Sequence, residues 1–167
     1  SKLKRSILHP PNPSSVSKIL NILDAKLQNN SAPPLRIVVY GGSVTVGSDC
    51  GATPFGVILW RPNCAWPLLL EKLVNGLLLE KVPVPDDVVQ IRNMGMGGTR
   101  SSSSAAMLEM GLWPKDYLPD VRPDIIVWSH AINDIYRGDS TLIFQEELQR
   151  FHLEARKARC DDEALPL

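Results

Sequence analysis

The chain has 167 residues, enough for one domain with a core of its own and too few for two. Lys and Arg number 18 against 18 Asp and Glu, so the charge balance gives no reason to expect nucleic acid or an anionic membrane as partner. Apolar residues at 44% and charged residues at 22% are ordinary for a globular chain, and no apolar run approaches the roughly 20 residues that span a bilayer.

Ser1-Lys2-Leu3-Lys4-Arg5 reads as a cut into a longer protein, with any targeting segment upstream. Pro10, Pro11 and Pro13 cannot continue a helix, so residues 1–14 are expected to be an arm or linker before a single domain over 15–167. Val16, Ile19, Leu20, Leu23 and Leu27 then recur at helical spacing, with Ser14 or Ser15 as cap, and predict a helix over 15–29. Asn29-Asn30-Ser31 is a glycosylation sequon, a pattern that also arises by chance.

Leu35-Arg36-Ile37-Val38-Val39-Tyr40 is a β-branched run between Pro-Pro and Gly-Gly, and predicts a buried strand near 35–41. A Gly/Pro-containing loop follows over 47–64. Trp66-Pro67 opens a helix to about Lys81 that is apolar on most sides, so it is expected to be well buried. After a turn at Val82 to Asp86, a second strand is predicted near 88–93, then Gly95, Gly97, Gly98 and the serine run Ser101 to Ser104, where a helix to Met110 begins. A helical turn over Asp116 to Val121 precedes a third strand near 124–129. Thr141 to about Arg159 reads as a last helix, with Leu142, Phe144, Leu148, Phe151 and Ala155 on one side.

Short apolar strands alternating with helices predict an α/β fold, a three-layer α/β/α sandwich on a parallel central sheet with these three strands adjacent. Such sheets carry their active groups in loops at the carboxyl ends of the strands. All three strand exits here are unusual: Gly41-Gly42-Ser43, Asn93 through Gly98, and Ala131-Ile132-Asn133-Asp134.

Each exit has two readings. Ser43 is either a helix cap or phosphate contact, or a nucleophile; the Gly-x-Ser-x-Gly elbow is not formed, because Thr45 holds its last position. The glycines after Asn93 make either a tight turn or a set of exposed N–H groups that hold an oxyanion. Asn133 is either a turn residue or an amide donor to an oxyanion, and Asp134 is expected to tie its loop by local hydrogen bonds. No third glycine completes a dinucleotide fingerprint, since Arg100 stands there, and no Walker loop exists. The three cysteines include no Cys-x-x-Cys pair, so no zinc site is expected, and no cofactor is expected either. Cys50 and Cys64 are either reduced thiols or a disulfide formed in an oxidising compartment.

Together, in order and strand context, the three exits resemble the blocks of the SGNH/GDSL serine hydrolases, a family of esterases and lipases. Gly41 through Gly47 is similar to the first block, Gly-Asp-Ser-x-Thr-x-Gly; Asn93 through Gly98 to the second, with Gly98 at the oxyanion glycine; Ala131 through Asp134 to the third, Gly-x-Asn-Asp. The resemblance covers about residues 35–140 and implies the flavodoxin-like SGNH fold. It also implies that Ser43 attacks an acyl ester of a lipid, glycan or small molecule, while the N–H groups of Ser43 and Gly98 and the Asn133 side chain bind the oxyanion. Gly42 and Ala131 depart from the usual aspartate and glycine. None of His9, His130 and His152 has an aspartate three residues earlier, so the family's late Asp-x-x-His block is missing, and truncation at the C-terminus is the expected cause. The alternative is a non-catalytic ligand-binding domain on the same fold.

Overall fold

The structure is a computed structural model that describes residues 12–48, 62–80, 87–114, 122–130, 134 and 141–159. Residues 1–11 of the arm expected over 1–14, the turn at Val82 to Asp86 and the helical turn at Asp116 to Val121 lie outside the described residues, while Pro13 and Ser14 of that arm are helical.

Helix α1, Pro13–Gln28, starts two residues earlier than its periodicity suggests. Asn12, not Ser14 or Ser15, is its cap: the Asn12 side chain accepts from the Ser14 N–H at 3.0 Å. Pro13 sits at the first helical position, where its missing N–H has no partner to lose. The buried face also differs from the expected one. Ile19, Ile22, Leu23 and Leu27 pack inward, while Leu20 is 57% exposed.

Strands β1 (Leu35–Gly41), β2 (Val89–Asn93) and β3 (Ile125–Ser129) form one sheet in the order β2-β1-β3, with both pairings parallel. The register sets Val38 beside Ile126 and Tyr40 beside Trp128 on one face, with Ile37 beside Ile125 and Val39 beside Val127 on the other. The alternation of side chains along each strand then builds two separate cores. On one face α1 and α3 (Trp66–Leu79) cover Leu35, Val39, Val89 and Ile91. On the other, α4 (Ser101–Glu109) and α5 (Thr141–Arg159) cover Val38 and Tyr40, and Phe151 meets Tyr40 edge-on at 5.9 Å between ring centroids. This is the three-layer α/β/α arrangement that the alternating pattern predicts.

The strand order carries a constraint. The chain steps from β1 outward to β2, then returns across β1 to reach β3. Right-handed crossovers in opposite directions must use opposite faces, which places α3 on one and α4 on the other. The order reverses between β1 and β3, and sheets of this kind bind ligands outside the carboxyl ends of their strands at such a point.

Helix α3 departs from expectation. Leu69, Leu73 and Leu77 form an exposed apolar stripe, so only one side of this helix is buried. The buried side does something hydrophobicity does not reveal. Asn75 Oδ1 accepts from the N–H groups of Val88 and Val89, both at 2.9 Å, and its Nδ2 donates to the Val89 carbonyl at 2.8 Å. One helical turn earlier, the Glu71 carboxylate accepts from the Ile91 N–H. Four helical residues rise about 6 Å and two strand residues about 6.6 Å, so Glu71 and Asn75 match the outward N–H groups of Ile91 and Val89. The helix thus satisfies the open edge of β2.

Cys64, at the end of a 3₁₀ turn over Pro62–Cys64, is disulfide-bonded. The other two cysteines, Cys50 and Cys160, both lie outside the described residues.

Asn75→Leu preserves the size of the side chain but strips three hydrogen bonds from a buried strand edge. It is expected to lower unfolding stability by about 3 kcal/mol, read from the urea midpoint, because buried backbone groups left unpaired cost more than a bond contributes.

Candidate functional site

The first loop leaves β1 at Gly41 and turns at once into a single helical turn, α2, over Ser43–Val46. Gly42 caps it in an extended conformation, and Gly47 ends it in a left-handed one with φ 93. Ser43 is thereby the first residue of the turn, half-buried, at the carboxyl end of the central strand. Among the described residues its hydroxyl has no hydrogen-bond partner. Thr45 points the other way: it is fully buried, with Oγ1 3.5 Å from the Ser129 carbonyl of β3.

The second loop is fastened to the first. Asn93, the last residue of β2, donates from Nδ2 to the Thr45 carbonyl at 2.6 Å and accepts the Gly95 N–H on Oδ1 at 2.9 Å. The Met96 N–H reaches the Gly41 carbonyl at 2.9 Å. The approach is so close that a Cβ on Gly95 would stand 2.8 Å from the Val46 nitrogen. Gly95 is therefore required for loop contact, and not for ligand access. Gly98 is different. It is exposed, its φ is +73, and no heavy atom comes within 4 Å of where a Cβ would stand. Its backbone therefore borders open space.

The structure thus brings the Ser43 and Gly98 loops together. Asn133 lies outside the described residues; its neighbour in sequence, Asp134, is described and is buried at 1% exposure. The Asp134 N–H donates to the His130 carbonyl at 3.2 Å, as a local tie would. Its carboxylate, expected to bond locally, instead reaches 33 residues away, accepting from both the N–H and the hydroxyl of Ser101. Ser101 also accepts from Trp128 Nε1 at 2.6 Å, and Ser104 meets His130 Nε2 at 2.6 Å. This buried polar cluster is the part that reading the sequence missed. Its only trace is the spacing of Ser101 and Ser104, one turn apart on a helix.

Neither described histidine completes a dyad with Ser43. His130 is 1% exposed and its Nε2 is engaged by Ser104, while Nδ1 has no hydrogen-bond partner among the described residues. Burial pushes its pKa below the ordinary 6.5, against the nearby Asp134 carboxylate and the Thr99 backbone, which both raise it. His152 lines a groove of about 330 Å³ with Pro123 and Asp124, at the end of the sheet away from Ser43. His9 lies outside the described residues. Among the described residues no group of three or more His, Cys, Asp and Glu could hold a metal ion, and no helix is long and apolar enough to cross a membrane.

No protein-family model matches the chain, and no curated protein matches it. Solved structures do. The crystal structure of AlinE4, an SGNH-hydrolase family esterase, superposes with a TM-score of 0.52 at 20% identity, over 76% of this chain and 56% of that one. Two point variants of the same esterase give TM-scores of 0.53 and 0.52 at 19% and 20% identity, over 77% of this chain and 57% of theirs. The chain therefore spans a little over half the length of the esterase structures it matches. Its fold is of the SGNH-hydrolase type.

The lowered His130 pKa sets a pH dependence. The unfolded chain binds this proton at a higher pH than the folded one, so the contribution is complete above about pH 6.5 and is lost as pH falls through the folded value. His130→Gln removes the group, and its unfolding free energy is expected to decline less between pH 7.5 and 5.5 than that of the wild type, measured by urea denaturation at each pH.

Proposed function

We propose that the chain carries the nucleophile and the oxyanion donors of a serine esterase. Ser43 Oγ attacks the ester carbonyl and gives up its proton to a base. The tetrahedral oxyanion is received by the N–H groups of Ser43 and Gly98 and by the Asn133 side chain, and its collapse expels the alcohol. Water then hydrolyses the acyl-Ser43. The substrate class is an acyl ester of a lipid, a carbohydrate or a small molecule.

The observation that carries this reading is the exposed left-handed Gly98, bordering open space on a loop fastened to the Ser43 turn. An oxyanion hole needs backbone donors held rigidly beside a nucleophile and open to the substrate. The SGNH-type fold supports the same reading, because AlinE4 is an esterase. The described histidines supply no base for Ser43, so the chain by itself is expected to acylate slowly. A serine hydroxyl without a base is barely nucleophilic at neutral pH.

On a short-chain aryl ester, Ser43→Ala is expected to abolish covalent turnover. Asn133→Ala should lower kcat by ~10²–10³-fold, the usual cost of one oxyanion donor, with KM little changed, because the oxyanion exists only near the transition state. Turnover that survives in Ser43→Ala would remove Ser43 as the nucleophile, and a wild type that is never acylated would leave the fold as a non-catalytic ligand-binding domain.

A further inference from the structure

Ser101 and Ser104 share one face of α4, and that face meets the end of β3. The Ser101 hydroxyl accepts from Trp128 Nε1, and an indole can only donate. The hydroxyl hydrogen is therefore left for Asp134, which also takes the Ser101 N–H at 3.2 Å. Arg100, the N-cap residue, makes no side-chain cap bond, so the N-terminus of α4 is capped by a carboxylate from another part of the chain. Both partners are buried, Ser101 at 0% and Asp134 at 1% exposure.

We propose that Asp134 is a positioning residue for the oxyanion site: by holding Ser101 it sets where the Gly98 N–H stands relative to Ser43. This rests on the serine-esterase reading. Gly98 comes three residues before Ser101 in the chain, nothing packs where its Cβ would be, and anchors stand on either side of it. Before it, the Met96 N–H is bonded to the Gly41 carbonyl at 2.9 Å. After it, the Thr99 hydroxyl donates to the Met96 carbonyl at 2.6 Å, and Ser101 is bonded to Asp134. Removing the Asp134 carboxylate leaves Ser101 with only its bond to Trp128, and loosens the far end of the turn without touching Ser43.

Phenylboronic acid tests this. Ser43 Oγ bonds to boron, its proton passes to solvent, and the anionic tetrahedral adduct is followed by ¹¹B NMR. In the wild type the Gly98 amide proton is expected to shift downfield as it bonds the adduct oxygen. Asp134→Asn should weaken the adduct by about 10²-fold, as a misplaced group does, and abolish the Gly98 shift. Ser101→Ala, which keeps its main-chain N–H, should move both readings the same way by less; it decides the matter if Asp134→Asn does not fold. A Gly98 shift as large in the variants as in the wild type, or absent from a wild-type adduct, overturns the proposal while the Ser43 reading stands. A wild type that forms no adduct, or a Ser43→Ala that forms one equally well, removes that reading and this one with it.

Independently, we infer that Asn29 is an acceptor for an N-linked glycan. Asn29-Asn30-Ser31 is the one sequon in the chain, since Asn12-Pro13-Ser14 is spoiled by its proline. Asn29 and Ser31 are both exposed, at the end of α1. The Ser31 hydroxyl donates to Asn29 Oδ1 at 2.7 Å and leaves the amide nitrogen of this exposed residue without a hydrogen bond among the described residues. The disulfide at Cys64 belongs to an oxidising compartment, where lipid-linked oligosaccharide diphosphates also serve as donors. In the transfer the Asn29 Nδ2–C1 bond forms as the C1–O bond to the diphosphate breaks, and the lipid diphosphate leaves with the amide proton. Secreted from cultured eukaryotic cells, the chain is expected to gain mobility on treatment with peptide N-glycosidase, and Asn29→Gln and Ser31→Ala should each abolish that change. Mobility unaffected by the glycosidase, or a change that persists in Asn29→Gln, overturns the inference.

Discussion

β1 is hydrogen-bonded on both sides and covered on both faces, so it has polar groups to offer only at its ends. Val38 and Tyr40 are at 0% exposure and Val39 at 1%. The carbonyls near its carboxyl end are taken by the next loop: Val39 accepts the Met94 N–H at 2.8 Å and Gly41 the Met96 N–H at 2.9 Å. Thr45 folds back beneath Ser43 toward the end of β3, and Asn93 crosses from β2 to the Thr45 carbonyl. The three strand ends are thus bound to one another before any ligand is considered. A nucleophile placed there inherits a rigid surround without further design, which is the condition for donors to help a transition state.

The fold was legible because its signal is local. Three short apolar runs, each bounded by Pro or Gly and separated by helical periodicity, specify a parallel sheet with covered faces, and the strands fall within a residue of their expected bounds. Helix faces were less legible. Leu20 and Leu142 belong to apolar patterns yet are 57% and 69% exposed, because periodicity says which residues share a face and not how far the neighbouring layer extends. The apolar richness of α3 misled for the same reason: its stripe of leucines has no described partner, while its buried side is partly polar.

Long-range polar bonds were not legible at all. Nothing about Asn75 in sequence distinguishes it from a surface asparagine; only the arrival of β2 beside it gives its amide three partners. Ser101 and Asp134 are likewise ordinary in their own segments, a helix start and a turn. Their pairing depends on the crossover that brings β3 next to β1. The strand-exit motifs fall between these cases. The glycine content of the second exit could be read, but not that Gly95 is required by contact with Val46 while Gly98 faces open space. Gaps between loops decide such roles, and gaps have no sequence signature.

The sealing of β2 has a consequence for how the sheet meets other chains. Glu71 and Asn75 occupy the outward N–H groups of that strand, so a foreign strand finds no donors there. Among the described residues β3 is bonded only to β1, so the described sheet is sealed on its β2 side and not on its β3 side. Fibril growth needs two open edges per subunit, because each chain must be both template and addition. The sealed side of β2 removes one of those two edges, whatever lies beyond β3.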